Sequence, residues 1–240
     1  MTRRRFIADI WTPTTATLTG DQAAHLARVL RAAPGQIYDI VANGFLHRAE
    51  ITEVTETEVH FQLHEELESD AALPLHLLLA VFKFDRMEWA IEKATELGIA
   101  RITPILARRT EKHLAQSALK RSERWRRIAL EASKQSRRTD IPEITDPTHL
   151  KQALELEKSP TRILLSETEQ ATTLTETLKN SKTGTHAIAI GPEGGWTPEE
   201  MSLFTQRQWQ HVTLGPRILR AETAAIAAIA IAIASAHLIE

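Results

Sequence analysis

The 240-residue chain contains no cysteine, which excludes disulfides, thiolate metal sites and cysteine nucleophiles and agrees with a reducing compartment. The basic start Met1-Thr-Arg-Arg-Arg-Phe6 is not followed by the apolar stretch of about 7 to 15 residues that a secretory signal needs. The longest apolar run, residues 224–236, falls short of the roughly 20 residues of a membrane span and is largely alanine, so it reads as a buried helix. Together these absences point to a cytoplasmic protein with no membrane association. Internal repeats and low-complexity tracts are also missing. A hydrophobic content of 42% is enough for a substantial core, in one large domain or two modest ones.

Charge is unevenly spread. Residues 101–138 hold twelve Lys/Arg against three Glu, whereas residues 50–70 hold eight acidic residues and no Lys or Arg. Such segregation is expected either of a surface for a polyanionic partner or of a solvated helix face.

The pattern along the chain suggests two regions. Residues 21–31 have helical spacing, with Leu26, Val29 and Leu30 on one face, and Pro34-Gly35 ends the helix. His25, Arg28 and Arg31 recur every three residues, which would make either a phosphate-contacting surface or an ordinary exposed one. Residues 37–42, 45–54 and 59–63 alternate as half-buried strands, the first two joined by the hairpin signal Asn43-Gly44. The acidic stretch 65–73 reads as a linker ending at Pro74. Beyond it, residues 75–82 form a nearly continuous apolar run, as expected of a parallel strand covered on both faces. Helices are then expected over 85–97, 117–136, 150–156, 174–180 and 198–209, and strands over 102–106, 162–165, 186–190 and 211–214. This alternation is that of an α/β layer with a parallel sheet.

Two strand ends stand out: Ile188-Ala-Ile-Gly-Pro-Glu-Gly-Gly-Trp196 and Leu214-Gly-Pro-Arg-Ile-Leu-Arg-Ala-Glu-Thr223. Each is an apolar run that stops at Gly-Pro, and two such loops suggest one pocket with two walls. The first lacks the Gly-Lys-Ser/Thr ending of a phosphate loop and the Gly-x-Gly-x-x-Gly dinucleotide fingerprint. Thr197 is a natural cap for the following helix, Pro198 suits its first turn and Glu200 completes a capping box. In the second loop Arg217, Arg220 and Glu222 sit beside Ile218 and Leu219, an arrangement that is costly unless the charges are paired or functional.

These two segments together resemble the signature pair of the RsmE family, SPOUT-class methyltransferases that methylate N3 of a uridine in 16S ribosomal RNA. The similarity extends to His25-Leu-Ala-Arg-Val-Leu-Arg31, Glu92-Lys-Ala-Thr-Glu-Leu-Gly98 with Ile102-Thr-Pro104, and Gln135-Ser-Arg-Arg138 with Ile141-Pro-Glu-Ile144, and so spans nearly the whole chain. The resemblance implies a small PUA-like β-barrel RNA-binding domain over residues 1–72 and a trefoil-knotted SPOUT α/β domain with a parallel sheet over 73–240. It also implies a homodimer acting on the small ribosomal subunit, with S-adenosylmethionine as cofactor and no metal. Carried over by position, the cofactor would contact Leu165, Ser166 and Glu167, then Ile190, Gly191, Pro192, Glu193, Gly194 and Gly195, then Leu214, Gly215, Ile218 and Leu219. Arg220, Glu222 and Arg138 would serve catalysis. Arg3, Arg4, Arg5, His25, Arg28, Arg31, Lys83 and Arg137 would meet RNA. Phe84, where many relatives have glycine, and Lys134, where glutamate is frequent, depart from the family pattern.

Overall fold

A computed structural model describes residues 5–69, 72–181 and 184–236; Arg3 and Arg4 lie outside the described residues. The chain forms two compact units, one of residues 1–71 with 133–141, the other of residues 72–132 with 142–240.

In the first unit β1 (Arg5–Ile7), β2 (Ile10–Trp11), β3 (Thr15–Thr19), β4 (Ile37–Ala42), β5 (Phe45–Val54) and β6 (Glu58–Leu67) form a six-stranded sheet in the order β1-β4-β5-β6-β3-β2. All pairings are antiparallel except β1 with β4. Asn43 and Gly44 both have positive φ, 52° and 83°, as the tight turn between β4 and β5 requires. Alternating Leu18, Ile40, Ala49, Ile51, Val59 and Phe61 fill the core under the sheet.

Two expectations fail here. The single helix over 21–31 is instead a short α1 (Gly20–Ala24) followed by a π-helical turn, His25–Val29. Leu30 N–H donates to His25 O across five residues, and Arg31 leaves the helix with φ 51°. The wider turn breaks the spacing of three: Leu26 is fully buried while Val29 is 66% exposed. Likewise part of the expected linker is strand. β6 runs on to Leu67 because Leu67 pairs with Leu46 across the sheet and Glu65 accepts from Arg48 at 2.7 Å.

The second unit is built on β7 (Leu73–Ala80), β8 (Ile99–Leu106), β9 (Glu143–Ile144), β10 (Thr148–His149), β11 (Thr161–Leu165), β12 (His186–Ile190) and β13 (Gln210–Val212). Their order is β10-β8-β7-β12-β11-β13, with β9 also on β8, and each pairing is parallel. Helices α2 (Phe84–Glu96), α3 (Lys112–Ser136, its last four residues counted with the first unit), α4 (Leu150–Leu156), α5 (Leu174–Lys179), α6 (Pro198–Gln206) and α7 (Ala221–Ala236) complete the unit. Both faces of the sheet are covered. Leu75, Leu77, Leu79, Ile163 and Ile188 pack on one side with residues of α2, α3, α5 and α7, while Leu78, Leu164, Ala187 and Ala189 meet α4 and α6 on the other. The apolar run at β7 is therefore continuous because successive residues enter two different cores. The alanine-rich α7 packs against α2, and no helix among the described residues is long and apolar enough to cross a membrane. The departing residue Phe84 is absorbed by packing: its ring meets Trp125 edge-on at 6.0 Å, and the Arg121 guanidinium lies 4.9 Å from its centroid.

The basic segment is less bare than its sequence suggests. Arg124 forks onto Glu88 at 2.7 and 2.8 Å, with Arg121 on the same carboxylate at 3.5 Å. Arg126 reaches Asp146 at 2.6 Å and Arg101 reaches Glu143 at 3.3 Å. A count within residues 101–138 misses these acids, which arrive from α2, β9 and the following loop.

Candidate functional site

Every strand of a parallel sheet delivers its loop to the same edge, the usual place for a ligand. Here the loops after β11, β12 and β13 enclose a cavity of about 1130 Å³. All the cofactor candidates line it: Leu165, Ser166 and Glu167 after β11, Ile190 to Gly195 after β12, and Leu214, Gly215, Ile218 and Leu219 after β13.

The glycine loop is fixed from several sides. Gly195 N–H donates to Pro192 O at 2.8 Å, closing a turn that needs φ 70° at Gly195. A Cβ on Gly191 would stand 3.0 Å from Trp196 Nε1, and one on Gly194 would stand 3.4 Å from the Arg109 side chain; glycine permits both close approaches. Arg109, in the loop after β8, donates to Gly194 O at 2.6 Å. Thr197 and Glu200 form the expected capping box on α6. Buried Glu200 also accepts Arg108 N–H at 2.8 Å, joining this loop to the one after β8. Trp196 stacks edge-on against Phe204 at 5.0 Å, which pins the loop to the core.

The β11 loop is clasped by Glu169, whose Oε1 accepts the backbone N–H groups of Thr172, Ala171 and Gln170 at 3.0, 2.8 and 3.1 Å. These bonds, led by that from Thr172, hold its carboxyl below the usual range. Thr173 bridges to Thr213, tying this wall to the β13 loop. That third loop is the loosest. Thr213 Oγ1 accepts Gly215 N–H at 3.1 Å, but Ile218 is 81% exposed, and the exposed side chains of Arg217 and Arg220 meet no carboxylate among the described residues.

Arg220 lines the cavity. Glu222, two residues on, is not among the lining groups: it is buried, its Oε1 lying 3.8 Å from Arg86 Nε. Arg138 belongs to the first unit, where its buried guanidinium is bound to Asp140. Arg5, His25, Arg28, Arg31 and Arg137 also belong to that unit, and Arg5 donates to the Arg137 carbonyl. His25, Arg28 and Arg31 are exposed, with Arg28 4.0 Å from Glu56. Lys83, in the second unit, is exposed just before α2. Sequence reasoning missed Arg86, Arg109, Glu169 and Trp196 as cavity residues. Arg109 was visible only as one charge in a basic stretch, Trp196 only as the end of the glycine-loop segment, and nothing local marked Arg86 or Glu169. Among the described residues no group of three or more His, Asp or Glu is arranged to hold a metal ion.

Comparison with known proteins agrees with this architecture. Residues 69–233 match the RNA methyltransferase domain model. The ribosomal RNA small subunit methyltransferase E of Synechocystis is 35% identical over 90% of this chain and 72% of its own length. The enzyme of that name from Neisseria gonorrhoeae, solved bound to S-adenosylmethionine, superposes with a TM-score of 0.81 at 30% identity, covering 95% of this chain and 96% of its own. A methyltransferase of Legionella pneumophila, also solved with that cofactor, gives 0.82 at 29% identity over 98% of both chains. With its parallel sheet, its three-loop cavity and these relatives, the chain belongs to the ribosomal RNA small subunit methyltransferase E family.

Proposed function

We propose that the cavity binds S-adenosylmethionine and that the protein methylates N3 of a uridine in the 16S RNA of the small ribosomal subunit. The observation that carries this reading is the cavity itself, walled by glycine backbone on one side and edged on the other by the exposed Arg220, which meets no carboxylate among the described residues. Its walls suit such a nucleoside: Leu165, Leu214, Ile218 and Leu219 offer apolar surface to a flat base, and Glu167 offers a carboxylate. A volume of about 1130 Å³ lies somewhat above the usual range of small-molecule sites, about 300 to 1,000 Å³, which leaves space for a target base beside the cofactor.

When bound, S-adenosylmethionine supplies an electrophilic methyl group. The protein's part is to orient and to stabilise charge. Uridine N3 attacks only after losing its proton to solvent, and the Arg220 guanidinium stabilises the negative charge that develops on the uracil ring. Holding the reactants in line removes much of the entropic barrier. The base must be unpaired or flipped from its stack, because N3 is engaged in a Watson-Crick pair. Glu222, buried behind the cavity wall, acts through an arginine in this reading. Arg138 enters it as an RNA-side residue of the small unit.

The finer architecture is part of the same proposal. The six-stranded unit acts as a PUA-like RNA-binding barrel through Arg5, His25, Arg28, Arg31 and Arg137. The second unit is a SPOUT domain with a trefoil knot, a reading that rests on the family resemblance. The protein works in the cytoplasm as a homodimer. Incubating hypomethylated small subunits with the protein and S-adenosylmethionine, then mapping modified nucleosides by mass, is expected to yield one methylated uridine in 16S RNA. Unmodified RNA, with no uptake of S-adenosylmethionine in a calorimetric titration, would favour a non-catalytic RNA-binding protein.

A further inference from the structure

Arg86 lies in the first turn of α2, far in sequence from either glycine-proline loop. Its guanidinium donates to Glu193 Oε1 at 2.5 Å, and its Nε lies 3.8 Å from Glu222 Oε1. Glu193 belongs to the glycine loop, and Glu222 to the first turn of α7, two residues after Arg220. The two carboxylates differ in depth: the Glu193 side chain is 36% exposed and that of Glu222 is 10% exposed. Glu222 Oε2 is buried with no hydrogen-bond partner among the described residues.

A carboxylate at that depth is costly without a cation beside it. Among the described residues, Arg86 is the cation within ion-pair distance of Glu222. Glu193 stays solvated, so its pair adds little stability by itself. The deep charge therefore anchors the arginine, and the arginine in turn holds the loop. The loop needs such a hold, since adjacent Gly194 and Gly195 bring no side chains of their own to fix it.

We infer that Arg86, seated on buried Glu222, is a positioning residue of the methyl-transfer site, holding the glycine loop to the start of α7 and so setting the spacing between the cofactor wall and Arg220. The role rests on the S-adenosylmethionine reading of the cavity. It also separates two roles for Glu222: a carboxylate outside the cavity lining anchors a neighbour and takes no proton from the substrate.

The test measures amide exchange of Gly191, Glu193, Gly194 and Gly195 in ligand-free protein, then S-adenosylmethionine affinity and steady-state kinetics, for wild type, R86K, E222Q and the double variant R86A/E222Q. The double variant removes the buried charge together with its partner, which keeps it foldable where R86A alone would strand Glu222. Loop exchange in R86A/E222Q is expected to rise about tenfold or more, with KM for S-adenosylmethionine rising about tenfold and kcat falling less. R86K is expected to recover part of the KM loss, because it keeps the charge but not the fork. Wild-type loop exchange and affinity in the double variant would overturn the inference. So would loss of turnover in E222Q with both of those properties intact, which would put Glu222 at the chemistry. A wild type that takes up no S-adenosylmethionine, yet shows loop protection dependent on Arg86, would overturn the cofactor reading and with it the role given to Arg86.

Discussion

The loops after β12 and β13 face one cavity but are built in opposite ways. The β12 loop is held by a capping box, by the Arg109 and Arg86 side chains and by an indole packed into the core. The β13 loop presents Arg217, Ile218 and Arg220 to solvent, with the Thr213 hydroxyl and its bridge to Thr173 as its ties. A preformed wall lowers the ordering cost of binding, while a wall left open has groups still to be satisfied. Under the proposed function, this difference would give recognition of a constant ligand to the first loop and the charge-dependent step to the second.

The most severe way to break that division is Arg220→Ala. Turnover is expected to fall about a thousandfold, in the range for removal of one charge-stabilising donor, while S-adenosylmethionine affinity stays within a few-fold. Single-turnover kinetics beside calorimetry separate the two. A rate within about tenfold of wild type, about 1.4 kcal/mol of barrier, would remove Arg220 from the chemistry. The mirror experiment is Gly191→Ala. The new Cβ would stand 3.0 Å from Trp196 Nε1, and the indole cannot easily yield because Phe204 packs against it. An overpacking cost of about 1 to 3 kcal/mol should appear as weaker cofactor binding, with the rate at saturation changed less. If affinity were unaltered, the β12 loop would not be the recognition wall.

A smaller effect is expected of Glu200→Ala, which strips partners from the Thr197 and Arg108 amides. Two amides that lose their carboxylate acceptor imply a loss of about 1 to 3 kcal/mol in stability, readable from the urea midpoint. Glu200→Gln keeps one acceptor and should lose less. Equal losses would mean that packing, not hydrogen bonding, fixes the preformed wall.

That wall was also the more legible one in sequence. Thr197, Pro198 and Glu200 are side-chain signals confined to four residues, and β12 and α4 have the expected bounds because their patterns are bracketed by turn chemistry. Other features depend on partners far away in the chain. The expected helix 198–209 stops at Gln206 because Gln208 turns left-handed, φ 58°, and swings Trp209 back into the core; no glycine advertises that turn. Five residues around His25 cannot distinguish a π turn from an α turn by spacing. The two-residue strands β9 and β10 are too short to carry a pattern. The placing of β12 between β7 and β11 is a property of the whole sheet. At the site, residues adjacent to the Gly-Pro turns were readable as turns, and their grouping with residues 165–167 came from family resemblance. Arg86 and Arg109 were not readable at all, because a cation's role is set by the carboxylates or carbonyls that folding brings to it.

The finest discrimination between the two loops comes from Ile218→Ser. No large hydrophobic among the described residues is more exposed than Ile218, at 81%, and it lines the cavity. Surface substitutions of this kind ordinarily change stability by within about 0.5 kcal/mol, so the melting temperature of the ligand-free protein should hardly move. If the β13 loop closes over a bound nucleoside, that apolar area is removed from water only in the complex, at about 25 cal/mol per Å². Affinity for S-adenosylmethionine should then drop a few-fold to about tenfold, with no matching loss of stability. A change in stability without a change in affinity would show that Ile218 is packed in solution and that the loop is as prebuilt as its neighbour.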